Sequence, residues 1–228
     1  MARAPRIRVV STLSLAVLVA VVALASTPSR GLRQTACFEQ KKARAVVRNA
    51  DGDRIGVVDF WNDSNCVVRV TAKFGRFNLE GKRTGLTEGF HGFHLHTTGT
   101  CEPDAEDPLG NVSPFFTAGG HWNPDSSNHG AHKGDLPPLL ATDAGLARAN
   151  VLTDRFRIKQ LFDDDGTAVI VHAGSDNLAN IPAETPDGAD RYHSHPTNEM
   201  GADETTRSTG DSGARFACGV VKRVARRG

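Results

Sequence analysis

The stretch Gly89-Phe90-His91-Gly92-Phe93-His94-Leu95-His96 constrains this chain more than any other. Successive side chains of a β-strand point to opposite faces. His94 and His96 therefore share one face, two residues apart, and both imidazoles can reach one metal ion, while His91 points the other way. All nine histidines lie between positions 91 and 195. A strand pair alone is as consistent with cross-strand packing as with a metal site. A second cluster tips the balance: His121, His129, His132 and Asp135 fall within 15 residues of a glycine-rich segment. Three imidazoles and a carboxylate are the ligand number and type of a closed tetrahedral zinc site. A later strand candidate ends at His172, which can supply a distant ligand to the first pair.

The first 25 residues read as a targeting segment rather than part of a fold. Arg3, Arg6 and Arg8 precede an apolar run from Val9 to Ala25, and Ala23-Leu24-Ala25 suits a signal-peptidase cut. The 17-residue run could also serve as an uncleaved anchor. About 200 residues remain, enough for one domain with a core of its own. Without the leader, 24 basic residues face 26 acidic ones, a net charge of −2 with histidines neutral. Such a balance gives no reason to expect nucleic acid, and the basic tail at 222–228 reads as a solvated terminus. Four cysteines in an exported chain imply two disulfides with three possible connectivities. The expected organisation is a leader at 1–25, a flexible linker at 26–40, one domain at 41–221 and the basic tail.

Within that domain the pattern is one of short strands. Ala43–Arg48 and Ile55–Phe60 flank the turn Asn49-Ala50-Asp51-Gly52-Asp53. Val67–Phe74, Phe90–Thr97, Ala147–Leu152, Thr167–His172 and Arg215–Val221 are further candidates. No segment carries a sustained helical period. Two long stretches, Thr98–Asp143 and Ala173–Ala214, are rich in Gly, Pro, Asn, Asp and Ser, and loops of such length in a compact domain are usually functional or disordered. Because they hold most of the remaining histidines, the functional reading is preferred. The fold class is all-β, a sandwich or flattened barrel with two long functional loops.

Two segments carry a specific resemblance. Gly-Phe-His-Gly-Phe-His-Leu-His-x-x-Gly-x-Cys, ending at Cys101, and Thr209-Gly210-Asp211-Ser212-Gly213-Ala214-Arg215-Phe216-Ala217-Cys218-Gly219-Val220-Val221 resemble the two signatures of the copper–zinc superoxide dismutase family. Similarity runs from about Ala43 to Val221. The resemblance implies an eight-stranded Greek-key barrel that converts superoxide to dioxygen and hydrogen peroxide, with copper and zinc as cofactors. It makes His94, His96, His121 and His172 the copper ligands, and His121, His129, His132 and Asp135 the zinc ligands, with His121 shared as an imidazolate. Asp176 would bridge the free nitrogens of His94 and His129 and fix their tautomers; without the resemblance it reads as a loop acid capping a turn. Arg215 would attract and orient the anion, and His91 would be a buried structural histidine. Cys101 and Cys218 match the family's intrasubunit disulfide, leaving Cys37 and Cys66 as an expected second pair that is not a general family feature. The resemblance allows a homodimer, and export places the enzyme in the periplasm or outside the cell.

Two other classes account for fewer of these residues. A zinc hydrolase or hydratase would use two strand histidines and a distant third, but would leave His121, His129, His132 and Asp135 unexplained, and no His-Glu-x-x-His occurs. A non-catalytic copper or zinc carrier with the same fold would be expected to lose a copper ligand or the arginine, and this chain keeps all of them. One departure from the family stands out. Its loop before the arginine is a positively charged guide, yet residues 173–215 here carry eight acids against three bases. Weaker steering of an anion is expected, with Lys133 and other basic residues near the mouth as candidates to offset it. His193 and His195 lie in this acidic loop and read as a solvated pair rather than a copper-acquisition site.

Overall fold

The computed structural model describes residues 40–65, 67–77, 83–181, 184–194 and 198–225. The expected leader, nearly all of the linker, Cys37, Cys66 and His195 lie outside them. Among the described residues twelve strands follow in chain order: β1 (Gln40–Asn49), β2 (Arg54–Asn62), β3 (Val68–Phe74), β4 (Arg76–Phe77), β5 (Arg83–Thr84), β6 (Gly89–His96), β7 (Asp135–Ala141), β8 (Ala147–Thr153), β9 (Ala168–His172), β10 (His193–Ser194), β11 (Glu199–Met200) and β12 (Arg215–Arg223). Eight form one antiparallel sheet in the order β7-β6-β9-β12-β1-β2-β3-β8. The two ends of that order, β7 and β8, are consecutive in sequence and joined by a turn at Thr142–Gly145, so the sheet rolls into a nearly closed barrel. β6 does not pair with the preceding long strand β3 but crosses over to lie between β7 and β9, a Greek-key connection.

The period-2 pattern explains which side chains fill this barrel. Val68, Val70, Ala72 and Phe74 of β3 and Ala43, Ala45 and Val47 of β1 are buried in the main core. On β6, Phe93 and Leu95 point inward with them; on β9, Val169 and Val171 do the same. The alternate residues, His94 and His96 on β6 and His172 at the end of β9, therefore stand on the outer wall. They are nonetheless buried, at 0, 1 and 4% exposure, because the two long loops cover that wall. A second apolar cluster of Phe115, Ala118, Ala168, Ile170 and Cys218 fills the space between wall and loop.

Two departures from the sequence expectation bear on the site. Asp135–Ala141 pairs with β6 as a strand, although Pro137 and Pro138 made it read as loop. Proline is tolerated there because β7 stands at the end of the strand order. Inside the second long loop, Glu204–Thr209 forms a short helix, α1. Its sequence has no apolar period; the helix is held at its ends, by the Asp203 carboxylate accepting from the Thr206 N–H at 2.7 Å and by Gly210 in the left-handed region. No helix among the described residues is long and apolar enough to cross a membrane.

Candidate metal centre

β6 delivers His94 and His96, β9 delivers His172, and β12 places Arg215 directly opposite His172. His121 is brought in by an isolated bridge to His96. His94, His96, His121 and His172 each offer one ring nitrogen within a cluster whose atoms all lie within 4.8 Å of one another. His121, His129, His132 and Asp135 form a second such cluster, and all eight contributions come from buried residues. His121 belongs to both.

Five of the six imidazoles are fixed through one nitrogen. His96 Nδ1 is 2.8 Å from the Gly119 carbonyl and His172 Nδ1 is 2.9 Å from that of Gly213. His94 Nε2 and His129 Nε2 each lie 2.7 Å from the Asp176 carboxylate, one on each oxygen. His121 Nδ1 faces Asp135 Oδ1 at 3.1 Å. The opposite nitrogens, His94 Nδ1 and the Nε2 atoms of His96, His121 and His172, are buried without a hydrogen-bond partner, as are Nδ1 of His129 and His132. An unsatisfied buried polar atom costs about 1–3 kcal/mol. Six in one place are costly for the protein alone and are suited to cations. Four imidazoles match the donor preference of copper, and three imidazoles with a carboxylate match zinc, so the residues fit both ions.

Burial favours the neutral form of His94, His96 and His172. Burial, opposed by the hydrogen bond to Asp176, pushes the His94 imidazole down to about 4. Burial also drives His96 and His172 well below the ordinary histidine value. Burial acts to raise the Asp176 carboxyl, but its hydrogen bonds to His129 and His94 outweigh that and hold it well below the usual carboxylate range. Neutral imidazoles beside an ionised carboxylate are what metal binding requires.

Arg215 donates from Nη1 to the Phe115 carbonyl and from Nη2 to the Gly119 carbonyl, both at 2.6 Å, and its guanidinium lies 5.3 Å from the Phe116 ring centre. Gly119 O thus receives both Arg215 and His96, tying the cation to the histidine cluster. Burial lowers the arginine, yet a guanidinium stays charged. Among the described residues no carboxylate pairs with it, so its charge is available to an anion. Cys101 and Cys218 are bonded, Cα atoms 5.6 Å apart, which ties the loop bearing Phe115 to β12.

Residues 64–221 match the family model for copper/zinc superoxide dismutase. The chain belongs to that family. It is similar to the superoxide dismutase (Cu-Zn) of Mycolicibacterium paratuberculosis, 42% identical over 137 residues that cover 60% of this chain and 57% of that protein. It is also similar to that of Photobacterium leiognathi, 36% identical over 144 residues covering 60% of this chain and 66% of that protein. The chain thus spans little more than half the length of its mycobacterial relative. Among solved structures, the Cu/Zn superoxide dismutase from Brucella abortus shares the fold with a TM-score of 0.56 at 23% identity, covering 79% of this chain and 99% of that one.

Other expected residues fall outside the two clusters. His91 is buried between the carbonyl oxygens of His172, 2.7 Å from Nδ1, and Thr87, 2.8 Å from Nε2, and belongs to neither donor set. Lys133 lies 2.7 Å from Asp125, with which it forms an ion pair. His193 is exposed on β10 and joins no donor cluster among the described residues. Sequence reasoning missed Gly119, whose contribution is a carbonyl any residue possesses, and Gly210. At Gly210 φ is +69°, and a Cβ would collide with Asp176 Oδ1 and His129 Nε2.

Proposed function

We propose that the protein disproportionates two superoxide anions, with two protons, into dioxygen and hydrogen peroxide at a copper–zinc centre. The observation that carries this reading is His121, which turns an unpartnered Nε2 toward the first cluster and Nδ1 toward the Asp135 side of the second. His94, His96, His121 and His172 would hold copper; His121, His129, His132 and Asp135 would hold zinc. Copper, when bound, would supply one-electron redox chemistry to the substrate. Zinc supplies fixed positive charge and geometry at the His121 ring.

The chain's own groups do the rest. Arg215 is a catalytic residue here: its guanidinium binds and orients the incoming anion, and the Phe115 and Gly119 carbonyls keep it aimed. Both protons come ultimately from water, and His121 Nε2, the nitrogen facing the first cluster, would relay one of them to the reduced substrate. Asp176 keeps His94 and His129 in the tautomers that leave Nδ1 open.

We further propose that the chain is exported, with residues 1–25 as leader, 26–40 as linker, 41–221 as the catalytic domain and 222–228 as a basic tail. Support comes from the apolar run Val9–Ala25 and the Cys101–Cys218 bond, since disulfides persist in oxidising compartments. Metal analysis, copper paramagnetic resonance and a superoxide assay on purified protein test the function. One copper and one zinc per chain with rapid superoxide removal is expected. Full metal occupancy without turnover would make the protein a carrier, and zinc without copper would return the hydratase reading.

A further inference from the structure

We propose that Arg155 is a positioning residue for the zinc pocket, acting on the backbone of the donor loop from outside it; this rests on the metal assignment above. Arg155 follows β8, far in sequence from the first histidine pair. Its Nη1 donates to the carbonyl oxygens of His132 and Asp135, both at 3.1 Å, and its Nη2 donates to that of Gly130 at 3.0 Å. One planar cation thus fixes three carbonyls in the six-residue segment that carries His132 and Asp135.

The inner side of the same segment is organised by the opposite charge. Asp135 Oδ2 accepts from the backbone N–H groups of Gly130 at 2.8 Å and His132 at 3.1 Å. The loop is held between a carboxylate that gathers N–H groups and a guanidinium that gathers C=O groups. With Oδ2 so engaged, Oδ1 faces the ring nitrogens of His121, at 3.1 Å, and His132, at 3.3 Å. Next to Arg155, Phe156 is buried and packs edge-on against Trp122, ring centres 5.8 Å apart, beside His121. The segment Arg155–Phe156 therefore grips the donor loop at two places. A guanidinium carries five N–H donors in a rigid fork, whereas an ammonium is a compact point charge on a flexible stem and cannot span three fixed acceptors.

The contact to the Gly130 carbonyl is exposed and the other two are part-buried, so water can reach part of what a lost arginine would leave. Removing Arg155 should therefore loosen the donor geometry more than it unfolds the chain. Partners outside the ligand shell typically change metal affinity 10–100-fold when mutated. The test is competition for zinc between a chromophoric chelator and the full-length metal-free protein, with the visible spectrum of bound cobalt as a second readout. Arg155→Ala should weaken zinc about 10–100-fold and distort the cobalt spectrum, Arg155→Lys should fall between, and Arg148→Ala, which removes an arginine of β8 bonded to the Phe74 and Ala147 carbonyls, should match wild type. Thermal unfolding of the metal-free variants separates this from a merely structural role, which would lower stability and leave zinc affinity unchanged. Zinc affinities of Arg155→Ala and Arg155→Lys within twofold of wild type overturn the proposal. Should the alanine variant fail to fold, the lysine variant decides by the same criterion. A wild-type protein that takes up no zinc overturns the metal assignment itself.

Discussion

Gly210→Ala isolates the mechanical demand that the metal centre places on its covering loop. Gly210 ends α1 with φ of +69°, a region L-residues enter at a cost of about 1–2 kcal/mol. The added methyl would also collide with Asp176 Oδ1 and His129 Nε2, the two atoms whose 2.7 Å contact helps fix His129. A charged hydrogen bond is worth about 1.5–3 kcal/mol, so the substitution should cost about 2.5–5 kcal/mol in all. Gly188 provides the control. It has φ of +81° and nothing within 4 Å of the place an added methyl would take, so Gly188→Ala incurs the backbone cost alone, about 1–2 kcal/mol. Urea unfolding of the metal-free proteins measures both, and a zinc titration reads whether His129 remains usable. Gly210→Ala should exceed Gly188→Ala by at least about 1.5 kcal/mol and bind zinc more weakly. Equal costs, with unchanged zinc affinity, would refute the claim that close packing at Gly210 holds the Asp176 bridge.

Three further outcomes are expected. Burial acts to raise the Asp59 carboxyl, but hydrogen bonds from Arg44, at 2.6 and 2.8 Å, and from Lys41, at 3.0 Å, outweigh it and leave it below its ordinary value. A depressed carboxyl stabilises the fold above its unfolded pKa, about 3.9, and that contribution is lost as pH falls through the folded value. Asp59→Asn should thus be destabilised relative to wild type at pH 6, with the gap narrowing below pH ~4 in metal-free unfolding curves; a gap independent of pH would contradict this. The Cys101–Cys218 bond closes a loop of 117 residues in sequence, so Cys101→Ser with Cys218→Ser should cost about 4–5 kcal/mol in the metal-free protein, and a loss under about 1 kcal/mol would argue against it. With eight acids against three bases in residues 173–215, superoxide removal should stay level or rise as salt increases from low ionic strength. A steep decline with salt would mean that the field at the mouth is positive after all.

The two histidine clusters were legible in the sequence because chemistry leaves few residue types that can bind a metal. The barrel was legible because a two-residue period separates wall from core. The same period on β6 writes both messages at once: Phe93 and Leu95 enter the core, while His94 and His96 stand outside it. What remained hidden lacks such a signature. β7 was obscured by Pro137 and Pro138, tolerable only because the strand closes the end of the sheet. α1 contains no apolar period and exists through Asp203 at its start and Gly210 at its end. Gly119 contributes a carbonyl, and Arg155 looks like any charged residue after a strand. The scaffold that aims the donors is thus built largely from backbone atoms and generic side chains.

Substitutions along a single strand should divide in the same way. Inward residues of β6 contact the apolar core and can affect the metals only by moving the whole wall. Outward residues contact loops and donors and can affect the core little, since their packing partners belong to the covering segments. A truncation at Leu95 should therefore appear first as lost stability, at about 2–5 kcal/mol for a buried Leu→Ala. A change at His96 should appear first in metal binding, because its partners are Gly119 O and the donor cluster rather than the barrel interior. The two-residue alternation that lets the chain fold thus also separates the residues that carry its chemistry from those that fill its core.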